Sequence, residues 1–129
     1  MNIGEVSSKS GLPAKTIRYY EDIRLITPDR TPNGYRDFSD IHLHKLAFLQ
    51  RTRGLGFSIE DCRVLLSLYE DTTRASSDVK AMAQEHLGKI SQKITELQAI
   101  RATLFELVNK CQGDDRPDCP ILKGLAGEI

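Results

Sequence analysis

The chain has 129 residues, 18 Lys and Arg against 18 Asp and Glu, three Cys and no Trp. That length suits one ordinary domain, or a small domain with an extended element, and is too short for most complete enzyme folds. No apolar run could span a bilayer, and the opening MNIGEVSSKSG lacks the basic start and apolar core of a signal peptide, so a cytoplasmic protein with no membrane partner is expected.

Ile3 to Ser8 reads as a short first helix. Gly11 and Leu12 form a tight turn, and Pro13 suits the first position of a second helix carrying AKTIRYYE. Helix, short turn with glycine, helix is the helix-turn-helix layout. Thr27-Pro28 stops any continuation. Residues 28–38 (PDRTPNGYRDF) are the one strand-like stretch. Asn33-Gly34 signals a type I′ hairpin, which needs positive φ at both central residues, with arms at about Thr31-Pro32 and Tyr35-Arg36 making a wing. Ser39 is a good N-cap for a third helix over 40–53, whose stripe is Ile41, Leu43, Leu46, Ala47, Leu49 and Gln50. Gly54-Leu55-Gly56-Phe57 breaks it. Ser58-Ile59-Glu60-Asp61 then reads as a capping pattern that opens a fourth helix to about Tyr69, so a second helix-turn-helix pair spans about 40–69.

After a polar loop at 70–76, one long helix is expected from about Ser77 to Lys110. Ala83, Leu87, Ile90, Ile94, Leu97, Arg101, Leu104, Val108 and Cys111 alternate in steps of four and three, a heptad seam held for four repeats. Such a rod is roughly 50 Å long at 1.5 Å per residue, and its single apolar stripe wants a partner. Arg101 is the one charge in the seam, where a polar residue fixes register or orientation. Residues 111–129 are loop-like up to Asp118. Cys119 then stands at the N-cap, and Pro120 at the first position, of a short helical turn in which Leu125 could pack with Ile121 and Leu122. The expected fold is mainly α: a winged helix-turn-helix unit over 1–70, a linker and long helix over 71–110, and a C-terminal loop with a short helix over 111–129.

Charge is spread unevenly. Residues 1–60 carry nine basic against seven acidic residues, and 61–129 nine against eleven. Lys15 and Arg18 lie near the start of the second helix beside Tyr19 and Tyr20. Arg30, Tyr35 and Arg36 lie on the wing, and Arg51 and Arg53 end the third helix. A recognition helix enters the major groove while flanking basic and hydroxyl side chains grip phosphates. Arg18 can be bidentate to a guanine or hold a phosphate. For any single residue a solvated surface, with Tyr20 in the core, explains as much. The ensemble favours DNA, because helix and wing place these groups on one side.

Cys111 and Cys119 are separated by seven residues (CQGDDRPDC). Zinc sites use cysteines two to four residues apart in two pairs, and no second pair exists. The three His (42, 44 and 86) lie elsewhere. Two thiolates suit a soft monovalent ion that accepts linear coordination: Cu(I), or Ag(I) and Au(I). Two idle thiols beside an acidic loop, or a disulfide in an oxidising medium, fit the spacing as well. An ion of that charge with two thiolates leaves a net negative charge that is costly to bury. A helix N-terminus compensates Cys119. Lys80, at the far end of the rod, is expected to help if two rods pack antiparallel, although an ordinary exposed lysine is the plainer reading. Cys62 reads as a small core residue. No nucleophile stands with a base and an orienter, and no Gly-rich phosphate loop is present, so an enzyme is not expected.

MNIGEVSSKSGLPAKTIRYYE, LITP, NGYRDF, RTRGLGFSIEDC, the heptad rod and CQGDDRPDCPI together resemble the MerR family of bacterial transcription regulators, and within it the copper-responsive CueR/HmrR-type branch. The resemblance covers the whole chain. It implies a winged helix-turn-helix with a second helix-turn-helix, and an antiparallel coiled coil that makes a homodimer. It also implies double-stranded promoter DNA and RNA polymerase as partners. It carries over Arg18, Tyr20, Tyr35, Arg36 and Arg53 as DNA contacts, and Cys111 and Cys119 as metal ligands. Ser76 falls where members that sense divalent metals carry a third Cys. Arg24 departs from the pattern, standing where the family commonly has Gly at the exit of the second helix. The function implied is Cu(I)-responsive activation of copper efflux and detoxification genes, by distorting a promoter whose spacer is too long. The alternative is a MerR-type regulator of another effector, a divalent metal or an organic compound. A metal chaperone with no DNA role would leave both helix-turn-helix units without a use.

Overall fold

The structure is a computed structural model that describes residues 1–114, 117 and 119–127. The chain divides into two compact units, Met1–Val79 and Lys80–Ile129. The first unit holds α1 (Ile3–Ser10), α2 (Ala14–Asp22), β1 (Asp29–Arg30), β2 (Arg36–Asp37), α3 (Asp40–Gly54) and α4 (Ile59–Glu70). The long α5 (Ser76–Lys110) begins in the first unit and runs on into the second, which also holds α6 (Pro120–Leu125).

Local chemistry sets most helix ends. Asn2 caps α1 by accepting from the Glu5 N–H, and α1 runs two residues beyond Ser8 before Gly11 closes it at φ 77. In the tight turn that follows, the Ser7 hydroxyl donates to the Leu12 carbonyl at 2.6 Å and the Leu12 N–H donates to Ser10 Oγ at 3.2 Å. Pro13 is the N-cap of α2 rather than its first residue, because its ψ of 145° is still extended. Ser39 caps α3, with His42 completing a capping box by accepting from the Ser39 N–H. Ser58 caps α4 through the Asp61 N–H. Ser76 and Ser77 are the first two residues of α5, which starts one residue earlier than the sequence suggested.

α2 ends in a two-bond motif. The Arg24 N–H donates to the Glu21 carbonyl at 3.0 Å and the Leu25 N–H to the Tyr20 carbonyl at 2.8 Å. This places Arg24 at φ 58, the one non-glycine residue with positive φ among the described residues. Arg63 of α4 supplies the missing cap: its guanidinium donates to the Ile23 carbonyl at 2.8 Å and the Arg24 carbonyl at 3.3 Å.

The wing differs from the expected two-residue hairpin. β1 and β2 pair antiparallel as Asp29 with Asp37 and Arg30 with Arg36, so the arms lie outside Thr31 and Tyr35. The Gly34 N–H donates to the Thr31 carbonyl and the Thr31 N–H to the Tyr35 carbonyl. Only Gly34 takes positive φ, at 84°. The turn is therefore a type I turn followed by a left-handed glycine.

The core of the first unit gathers Val6, Ile17, Phe38, Leu46, Leu49 and Cys62 as its fully buried large side chains. Cys62 is core as expected, with Thr52 Oγ1 at 3.3 Å from its sulfur. Ile41 leaves the expected stripe and is 68% exposed. Five residues before Leu46, it lies about 140° round the helix from it.

In the second unit, Leu107 is the buried residue of α5. α6 lies against it: a Cβ added at Gly124 would run into the Leu107 side chain. Leu107 lies beside the heptad seam rather than in it, and the apolar side chains of the seam are bare, with Ile94 50% and Val108 57% exposed. Among the described residues no helix is long and apolar enough to cross a membrane.

Candidate nucleic-acid interface and thiol pair

α2 is amphipathic, and its faces separate the expected contacts. Ile17 and Tyr20 point into the core, while Lys15, Arg18 and Tyr19 are exposed. Tyr20 therefore corrects the expectation drawn from the resemblance. Only 4% of it is exposed, so it packs behind the helix surface and does not offer a ring to DNA. Burial raises its hydroxyl pKa above the ordinary 10.0, with Arg53 beside it pulling the other way. Arg53 is exposed at the end of α3 and donates to the Phe57 carbonyl at 2.6 Å. It thereby ties the end of α3 to the α3–α4 turn.

Tyr35 stands at the wing, 73% exposed, with its N–H held by Thr31 Oγ1. Arg36 is half-buried and pairs with Glu21 through Nε. Arg30 pairs with the other oxygen of the same carboxylate. Glu21 was not singled out in the sequence, yet it joins helix to wing. Arg18, one turn earlier, shares its face of α2. The one sequence signal was a pair of acids, Glu21 and Asp22, ending a helix with no base in its last turn.

The two thiols lie at element ends. Cys111 follows α5, its N–H donating to the Val108 carbonyl at 3.2 Å. Cys119 is the N-cap of α6, with Pro120 at the first position as expected, and its carbonyl accepts the Lys123 N–H at 3.1 Å. Both are half-buried and no disulfide joins them. Residues 115, 116 and 118 of the intervening loop lie outside the described residues. Among the described residues no three His, Cys, Asp or Glu side chains gather as a metal cluster. A tetrahedral site would need more donors than these two thiols. Ser76 and Lys80 are exposed on α5. Lys80 is some thirty residues before Cys111 on one helix, roughly 46 Å away at 1.5 Å per residue, so only a second copy could bring it to the thiols.

Residues 1–68 match the family described as MerR HTH family regulatory protein, and residues 43–107 the one described as MerR, DNA binding. The chain belongs to the MerR family. It is 63% identical over 126 residues to the HTH-type transcriptional regulator HmrR of Rhizobium leguminosarum bv. viciae, with 98% of each chain covered. It is 44% identical over 128 residues to the HTH-type transcriptional regulator CueR of Salmonella typhimurium, covering 98% of this chain and 93% of the relative. The crystal structure of the transcription regulator PbrR691 from Ralstonia metallidurans CH34 in complex with lead(II) superimposes with a TM-score of 0.83 at 29% identity, covering 97% of this chain and 98% of that one. The mainly helical fold, with its winged helix-turn-helix and long helix, is that of MerR regulators, and the protein is a transcription regulator rather than an enzyme.

Proposed function

We propose that this MerR regulator is metal-responsive and that its signal is Cu(I), with Ag(I) and Au(I) as chemical equivalents. The observation that carries the reading is the pair of half-buried thiols, Cys111 and Cys119, at the two ends of one loop with no further donor cluster among the described residues. Two thiolates favour a soft, low-coordinate ion. Ser76 offers no thiolate for a divalent ion.

The proposed assembly is a cytoplasmic homodimer joined by the bare seam of α5. Lys15, Arg18, Tyr35, Arg36 and Arg53 meet double-stranded promoter DNA, with Tyr20 supporting them from the core. Lys80 of the second copy balances the charge of the ion site. Holding Cys119 to Cys111 fixes where α6 lies on α5. That position is what a change in the DNA-binding units would read before RNA polymerase opens a copper-efflux promoter. A metal that shifts such an equilibrium must bind the two states differently.

The test is anaerobic titration of the reduced protein with Cu(I) against a strong competing chelator. Zn(II), a Cys111→Ser/Cys119→Ser variant and Lys80→Ala run alongside. One tight Cu(I) per protomer, lost in the double variant, weakened in Lys80→Ala and not matched by Zn(II), is the expected result. Tight Zn(II) or Pb(II) with weak Cu(I) overturns it in favour of a divalent effector, the class of ion found with PbrR691.

A further inference from the structure

Glu21 and Asp22 close the last turn of α2, which has no basic residue. The helix dipole disfavours an anion there, and a phosphate backbone repels one. Yet Glu21 is only 17% exposed and both of its oxygens are used. Oε1 accepts from Arg30 Nη2 and Oε2 from Arg36 Nε, two residues that sit opposite each other across β1 and β2. The two arginines are not equivalent. Arg30 also donates Nη1 to the Gly34 carbonyl at 3.3 Å, so both of its terminal nitrogens are engaged, within the wing and on Glu21. Arg36 gives Nε alone, and its two terminal amino groups bond to no described residue.

We infer that Glu21 is a positioning residue for DNA: it locks the wing to the recognition helix through both arginines and presents the terminal amino groups of Arg36 to a backbone phosphate, with Arg30 as the brace. This rests on the reading that α2 and the wing face duplex DNA. It makes a counterintuitive claim. Removing an anion from a DNA-binding face should tighten binding by charge alone. If Glu21 sets the geometry, its loss weakens binding where geometry matters, because phosphate contacts fix register on the duplex.

The experiment selects a duplex from a randomised library with the wild-type protein. Fluorescence anisotropy then measures affinity for that duplex and for random-sequence duplex of equal length, over a salt series. Glu21→Gln should lose about tenfold on the selected duplex and nothing on random duplex. Its salt slope should stay at the wild-type value, since the charge of Arg36 remains, whereas Arg36→Gln should lower the slope by about one and weaken both duplexes. Selected-duplex binding by Glu21→Gln as tight as wild type, or an equal loss on both duplexes, overturns the inference. Should Glu21→Gln fail to fold by circular dichroism, Arg30→Gln carries the test. It must lose selected-duplex affinity at constant slope, and unchanged affinity overturns the proposal. A wild-type protein that enriches no duplex overturns the DNA reading itself, a separate outcome.

Discussion

Arg24 is held at φ 58, where an L side chain is strained and glycine is not. The turn is nevertheless held, because Arg63 reaches the Ile23 and Arg24 carbonyls just past α2. Arg24→Gly should therefore raise unfolding free energy by about 0.5–1 kcal/mol in urea titration, the strain relieved exceeding the entropy that glycine adds to the unfolded chain. Tyr20 gives a pH signature. Burial raises its pKa, so the folded state keeps a proton that the unfolded state gives up near pH 10. Its contribution is fully present below pH 10 and is lost as pH rises through the higher folded value. Tyr20→Phe should flatten that part of the alkaline fall in stability, measured by thermal melts from pH 8 to 11. Arg18 and Lys15 were legible as surface groups because Ile17 and Tyr20 mark the inward face. The role of Glu21 was not legible, since its partners lie 9 and 15 residues away, on a hairpin whose register the sequence misplaces.

At the level of elements, helix starts were readable. Ser39 and Ser58 cap through their side chains, and Cys119-Pro120 opens α6 by position alone, with no side-chain cap bond. The wing was half readable. Asn33-Gly34 announces a turn, but Pro32 fixes negative φ at the first corner of a type I turn, so Gly34 alone supplies the left-handed step. Nothing local shows that α6 docks on α5, because the contact is an absence: Gly124 has no side chain where Leu107 lies. Gly124→Ala should push α6 off its seat or force Leu107 to another rotamer, at a cost of about 1–3 kcal/mol by the usual overpacking scale. The expected readout is weaker competition for Cu(I) in the chelator titration, with helix content by circular dichroism unchanged. Equal competition would show that the seat of α6 is independent of the thiol pair.

At the level of the molecule, the long helix leaves an apolar stripe uncovered. Ile94, Leu97, Leu104 and Val108 are all half or nearly half exposed, with Arg101 set among them. A monomer with such a face is unfavourable in water, and pairing of two copies along it is the economical solution. Ile94→Asp places a charge in that seam and should cost about 3 kcal/mol or more of dimer stability. Sedimentation equilibrium at micromolar protein should then show a monomer, against the dimer expected of the wild type. A dimer that survives the change would place the interface elsewhere.

Burial also sorts the three thiols by chemistry. Cys62 is fully enclosed between α3 and α4, whereas Cys111 and Cys119 are only half covered. A thiolate must meet its reagent to react, so iodoacetamide should add twice, quickly, to the native reduced chain, and a third time only as fast as the first unit opens. Intact-mass spectra taken along one alkylation time course therefore carry two clocks. The first two adducts report on the loop, and should slow when a soft ion occupies it. The third reports opening of the first unit, with no label or mutation introduced.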